Sequence, residues 1–311
     1  MHKYILKRLI WMLPVILGVT ILIYSIMYLT PGDPAVIILG ANASSEQLEQ
    51  KREDLGLNDG YFINLGRFVK RVFLEFDFGN SYINNTNVSH EIISRFPRTL
   101  LIAFASVLLS LVLGIPLGIW SAVNQYSWKD HFSMFVALFG VSIPGFWAGL
   151  MLVIVFALKL GWLPPSGIGD MKHYILPIIA CALGGMATTA RQTRSSMLEV
   201  IRSDYIVTAR AKGLSEQKVI YRHALRNALI PVITSAGQGF GIMLGGALVI
   251  ETVFGIPGLG TYMVTAIGNR DYPAIQGAVV FLSIMFGLVM LLVDLIYAFV
   301  DPRIKSQYKN T

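Results

Sequence analysis

Ionisable side chains are scarce in the apolar stretches of this chain, and their positions limit the chemistry open to it. Asp294 falls six residues before the end of the last apolar run, Glu251 ends the run before it, and Arg191 and Arg194 border a third. Proton-driven carriers place ionisable groups near the middle of the bilayer, and no ladder of acids of that kind emerges. No Gly-Lys dipeptide occurs, so the chain carries no phosphate-cradling loop of the Walker type. Ser and His residues are scattered without a nucleophile–base constellation, which disfavours a membrane enzyme. Cys181 is the single cysteine and excludes a disulfide framework or a multi-cysteine metal site. What remains is a polar path. Gln238 and Met243 lie in an apolar, glycine-rich run with Gly241, and a buried amide needs an internal partner or water. With Glu251, Asn269 and Asp271 they are the candidate wall of a substrate pathway, although packing alone accounts for most of the glycines.

These residues need a membrane to act across. Apolar types make up 54% of the 311 residues and glycine adds 29 positions, while charged residues are only 14%. A soluble domain carries roughly 25% charged residues and could not bury so much apolar surface. Six runs are long enough to cross a bilayer as helices, at residues 9–29, 100–123, 132–158, 174–191, 229–251 and 274–300. Ser142-Ile143-Pro144-Gly145 interrupts the third. The first run is too long for a signal-peptide core and lacks a small-residue cleavage site, so it reads as an uncleaved span. With the N-terminus inside, the inner segments hold fifteen Lys and Arg and the outer ones ten, most of these in one long loop. The basic excess places both termini in the cytoplasm, and the net charge of +7 is a topology signal rather than a nucleic-acid footprint.

Two loops are too long to be simple connectors. The outer one, residues 31–97, opens on Pro31-Gly32-Asp33-Pro34. Ser44 or Ser45 caps a polar helix over 46–55 that stops at Gly56. Tyr61, Leu65, Phe68, Val69, Val72, Phe73 and Phe76 then form an apolar stripe opposite Arg67, Lys70 and Arg71, an amphipathic helix suited to the membrane surface or to its own subunit. The inner loop, within 199–228, predicts a short helix ending at Lys212, a left-handed stop at Gly213, and a second helix capped by Ser215. Eight basic residues between 191 and 226 make it either a docking knob for a partner's groove or a loop held by anionic lipid.

The stretch DYIVTARAKGLSEQKVIYRHALRNALIP resembles the coupling loop of bacterial ABC importer permeases of the dipeptide, oligopeptide and nickel class. ETVFGIPGLG, Asn269-Arg270-Asp271-Tyr272-Pro273, TPGDP, DFGNSY and the closing Asp301-Pro302-Arg303 extend the likeness over nearly the whole chain, and the long outer loop is that of the first of two paralogous permeases. Val207-Thr208-Ala209 stands where the general importer loop has Glu-Ala-Ala, so no role for that acid is carried over.

The resemblance implies an all-α, type I ABC importer permease fold. Its parts would be a first span (1–30), an extracytoplasmic loop domain (31–97) and a core permease domain (98–311). It also implies a multi-pass protein of the bacterial cytoplasmic membrane that is not itself an enzyme and binds no cofactor. The expected partners are a paralogous permease, two ATP-binding subunits carrying ATP and Mg, an extracytoplasmic solute-binding protein, a peptide substrate and membrane lipid, with no nucleic acid. Asp204, Tyr205, Thr208, Ala209, Arg210, Ala211, Lys212, Gly213 and Leu214 would meet an ATPase, with Arg210 and Lys212 facing its acceptors and Ala209 and Gly213 allowing close approach. Nickel or a metal chelate is the alternative cargo. A stand-alone channel or secondary transporter is the rival class, separable by whether ATPases co-purify with the chain.

Overall fold

The computed structural model describes residues 2–40 and 42–300, so Asp301-Pro302-Arg303 and the basic residues of the last segment lie outside the described residues. In chain order the helices are α1 (His2–Leu29), α2 (Pro34–Leu39), α3 (Ser45–Asp54), α4 (Tyr61–Leu74), α5 (Val88–Val123), α6 (Trp128–Ser142), α7 (Gly145–Leu152), α8 (Lys172–Ile201), α9 (Asp204–Ala211), α10 (Glu216–Lys218), α11 (Leu225–Val253), α12 (Leu259–Gly268) and α13 (Tyr272–Val300). π-helical segments follow α7 (Val153–Lys159) and α10 (Val219–Ala224). Five helices are long and apolar enough to cross a membrane, and a sixth is counted if the bent pair Trp128–Ser142 and Gly145–Lys159 is one span.

That pair departs from the straight third span the sequence predicts: its halves meet at 96°. The cause is local. Pro144 lacks an N–H, and Ile143 before it leaves the helical region (φ −85, ψ 121). The fifth span differs the other way. The helix expected after Ser215 does not stop but runs through the π-helical turn into α11, leaving a continuous span candidate from Glu216.

The chain packs as two compact units. The first comprises Met1–Arg98 and Pro257–Gly287. Asp33 caps α2, accepting from the Ala35 amide at 2.9 Å. Ser44 caps α3 in a reciprocal box with Gln47. The amphipathic helix α4 lies on its own subunit: Phe68 and Val72 are buried, the Phe68 ring stacks on Tyr24 at 5.4 Å, and Tyr61 Oη lies 2.6 Å from Ser25 Oγ. Phe76, the last residue of the expected stripe, has a left-handed backbone (φ +53) and is exposed. Ile16, Ile23, Phe68, Val72, Val88, Ile92 and Ala278 share one core.

The second unit comprises Thr99–Ile256 and Leu288–Thr311. Its most enclosed span is α8, with 39% of its apolar window buried against 28% for α5. Enclosure explains the composition that makes this run the weakest membrane signal, since small residues let backbones approach. Opposite it on α5, a Cβ added at Gly114 would fall 2.7 Å from the Met186 carbonyl oxygen, and one at Gly118 2.6 Å from that of Ala190.

Candidate functional site

Helix α9 begins at Asp204, whose charge suits a helix N-terminus, and the chain turns out of it at Gly213, a left-handed residue (φ +77). Ile206 and Ala209, three residues apart, form its buried face, packed with Met197, Val219, Ile220 and Ala224 in one cluster. Ala209 is thus turned into its own chain rather than presented for close approach by a partner. Two polar ties fix the helix further. Asn227 Nδ2 donates to Tyr205 Oη at 2.7 Å. Arg210 donates from Nε and Nη2 to the Glu216 carboxylate at 3.1 and 2.7 Å, and this contact raises the Arg210 pKa above its ordinary value. Arg210 is therefore engaged within the chain. The opposite face is exposed: Asp204, Tyr205, Val207, Thr208, Ala211 and Lys212, followed by Gly213 and Leu214. Val207 is 56% exposed and Leu214 36%, so two apolar side chains stand on the outward side of a rigidly seated helix.

The helix that feeds α9 is itself anchored. Arg194 of α8 donates from Nε and Nη2 to the two oxygens of Asp130, both at 2.8 Å. Asp130 is 2% exposed and also receives the Ser121 hydroxyl and the Tyr126 amide (3.0 Å), while Ser127 caps its helix. Sequence reading marked Arg194 only as a border residue and passed over Asp130. The available signal was the Ser127-x-x-Asp130 spacing that starts a helix.

The expected pathway residues divide. Gln238 is exposed on α11 with no hydrogen-bond partner among the described residues, Met243 is half-buried and Gly241 is buried. A Cβ at Gly237 would strike Val293 at 2.2 Å, a packing contact, whereas Gly239 and Gly245 have open space beside them. Asn269 is exposed at the end of α12. Glu251 and Asp271 are instead enclosed. Glu251 is fully buried and accepts the Thr99 hydroxyl at 2.5 Å. Asp271 is 4% exposed and holds the Ser81 hydroxyl and the Tyr82 amide (3.0 Å). Their oxygens are occupied by the fold, so neither is available to line a path.

Two sequence profiles match the chain. The binding-protein-dependent transport system inner membrane component spans residues 114–306, and the N-terminal membrane component of the same systems spans 1–103. The chain belongs to this family of importer permeases. It is 42% identical over 98% of its length to the whole of the dipeptide transport system permease protein DppB of Alkalihalophilus pseudofirmus. It is 41% identical, over 98% of its length and 99% of the relative, to the glutathione transport system permease protein GsiC of Salmonella paratyphi A. A chain of the MetNI methionine ABC transporter, solved in inward-facing conformations, shares the fold with a TM-score of 0.58 at 20% identity, over 68% of this chain and 96% of that one. The chain is thus a multi-pass permease of the bacterial plasma membrane with the type I ABC importer fold. As a permease subunit it is not an ATPase, and partner subunits hydrolyse the ATP.

Proposed function

We propose that this permease imports peptides, taking them from an extracytoplasmic solute-binding protein and forming the pathway with a paralogous permease. In this reading α9, within the cytoplasmic loop 199–228, docks in a groove on one of two ATP-binding subunits, which carry ATP and Mg. Both relatives are named for peptide substrates, which favours peptide over a metal chelate. The loop 31–97 is the extracytoplasmic part and 98–311 the core. The observation that carries the coupling role is the two-faced seating of α9: Ile206 and Ala209 bind it to its own chain while Val207, Ala211 and Leu214 stand outward. A short helix fixed on one side and apolar on the other is built to transmit a push from a partner groove. The pathway role falls to the exposed face of α11. An amide such as Gln238 that meets neither protein nor water is costly in lipid, so it belongs against water or a second subunit.

Val207→Glu tests the docking. The residue is exposed, so the chain should insert and assemble normally while peptide-stimulated ATP hydrolysis by the purified complex falls at least tenfold. Full stimulation in that variant would overturn the assignment. Gly213→Asp should uncouple as well, but it also strains a left-handed position by roughly 1 kcal/mol, which makes Val207→Glu the cleaner change.

A further inference from the structure

A cavity of about 1210 Å³ opens within the first unit. Its walls are the ends of α1 and α3, the helix α4, the turn after it and the start of α13, so it belongs wholly to that unit. The volume is at the upper end of what ligand sites occupy. Three observations distinguish it from a packing defect.

Two polar side chains on its wall are more than nine-tenths buried and have no protein partner. Gln276 is 8% exposed, with no hydrogen bond from its amide. Tyr272 is also 8% exposed, and its hydroxyl is unpaired. Buried polar groups are ordinarily satisfied, and exceptions call for a ligand or water.

A guanidinium on the wall also lacks a counter-ion. Arg52 is held by Asp33 and Glu49, and Arg67 by Asp59, but Arg71 has no carboxylate within ion-pair distance among the described residues. It acts electrostatically on both Tyr24 and Tyr82, which line the same space. Gly79 leaves room for it: a Cβ there would lie 3.2 Å from Arg71 Nη1.

The third observation is the balance of charge. Asp33, Glu53, Asp54 and Asp59 line the cavity with Lys51 and the three arginines. A multiply charged anion would meet four carboxylates there. A single carboxylate on a chain of amides fits better, since Arg71 forks onto the carboxylate while amide and phenol groups serve the backbone.

We propose that this cavity binds the C-terminal carboxylate of a peptide, with Arg71 as the carboxylate anchor and Gln276 and Tyr272 on the peptide groups. This rests on the peptide reading above and adds to it a site outside the membrane-crossing path.

The test uses the full chain in lipid nanodiscs without its partners. Binding of trialanine and of trialanine amide is followed by saturation-transfer NMR. The unaltered chain should bind the amide at least tenfold more weakly than the acid. Arg71→Gln should lose about tenfold for the acid and nothing further for the amide. Gln276→Leu should weaken both about threefold and keep the preference for the acid. Equal binding of acid and amide by the unaltered chain would overturn the proposal, whatever the variants do. So would absence of saturable binding, or displacement by equimolar inorganic phosphate, which would mark a general anion site. Peptide-stimulated ATP hydrolysis by the assembled complex is measured alongside. Stimulation without binding to the isolated chain removes the cavity proposal and leaves the importer reading standing. Binding without stimulation does the reverse.

Discussion

Two aspartates are buried almost completely, and the fold neutralises them in different ways. Asp130, at the turn from α5 to α6, faces a charged fork, with both Arg194 contacts at 2.8 Å. Asp271, before α13, faces only neutral donors, the Ser81 hydroxyl and the Tyr82 amide. A charge pair is unforgiving, since losing one member leaves the other uncompensated, typically for about 3–5 kcal/mol. A carboxylate held by neutral donors leaves smaller debts behind, about 1–3 kcal/mol for each unpaired buried group. The first arrangement suits a place where position must not drift, beside the helix that leads to α9. The second suits a tie between distant segments of chain.

The difference can be broken most forcefully at Arg194. Arg194→Leu should destabilise the chain by about 3 kcal/mol in denaturant titration, at the low end for a buried pair because the arginine side chain is 25% exposed. Adding Asp130→Asn should restore part of the loss. A double variant no better than the sum of the two would show that the pair is not coupled.

A pH titration sharpens the contrast from the other side. Burial pushes the Tyr82 phenol up to about 12. Because its folded value lies above the ordinary one near 10, stability is fully present below pH 10 and falls as the pH rises towards 12, by about 2 kcal/mol. Tyr82→Phe should flatten that decline in unfolding experiments run between pH 9 and 12, and an unchanged slope would discount the phenol. The smallest effect is expected at Ser81→Ala. Asp271 keeps the Tyr82 amide there, so a loss of about 1 kcal/mol is expected in the same assay; a loss as large as that of Arg194→Leu would erase the distinction.

Much of this was legible in the chain. The apolar runs marked the spans because length alone decides whether a helix can cross, and Gly213 marked the end of α9 because few residues adopt its left-handed backbone. The stripe from Tyr61 marked α4 but not its partner, since α1 and a membrane surface both accept an apolar face. Pro144 announced a break, but its 96° angle depends on packing around it. The roles of Glu251 and Asp271 were misread for a clear reason: their partners Thr99 and Ser81 lie 152 and 190 residues away, and only the folded chain brings them together. Polar residues beside an apolar run look alike whether they line a path or close an interior. The same distance in sequence hid Arg194 from Asp130, 64 residues apart.

The joint between α8 and α9 has a mechanical consequence. Only Arg202 and Ser203 separate Ile201 from Asp204, and the return from Ala211 to Glu216 is barely longer. Two residues reach at most about 7 Å when fully drawn out, so the short helix hangs from its neighbours without slack. It cannot swivel on a loose tether and absorb a load. Any displacement applied to its free face passes undamped into the roots of two long rods, and those rods tilt with it.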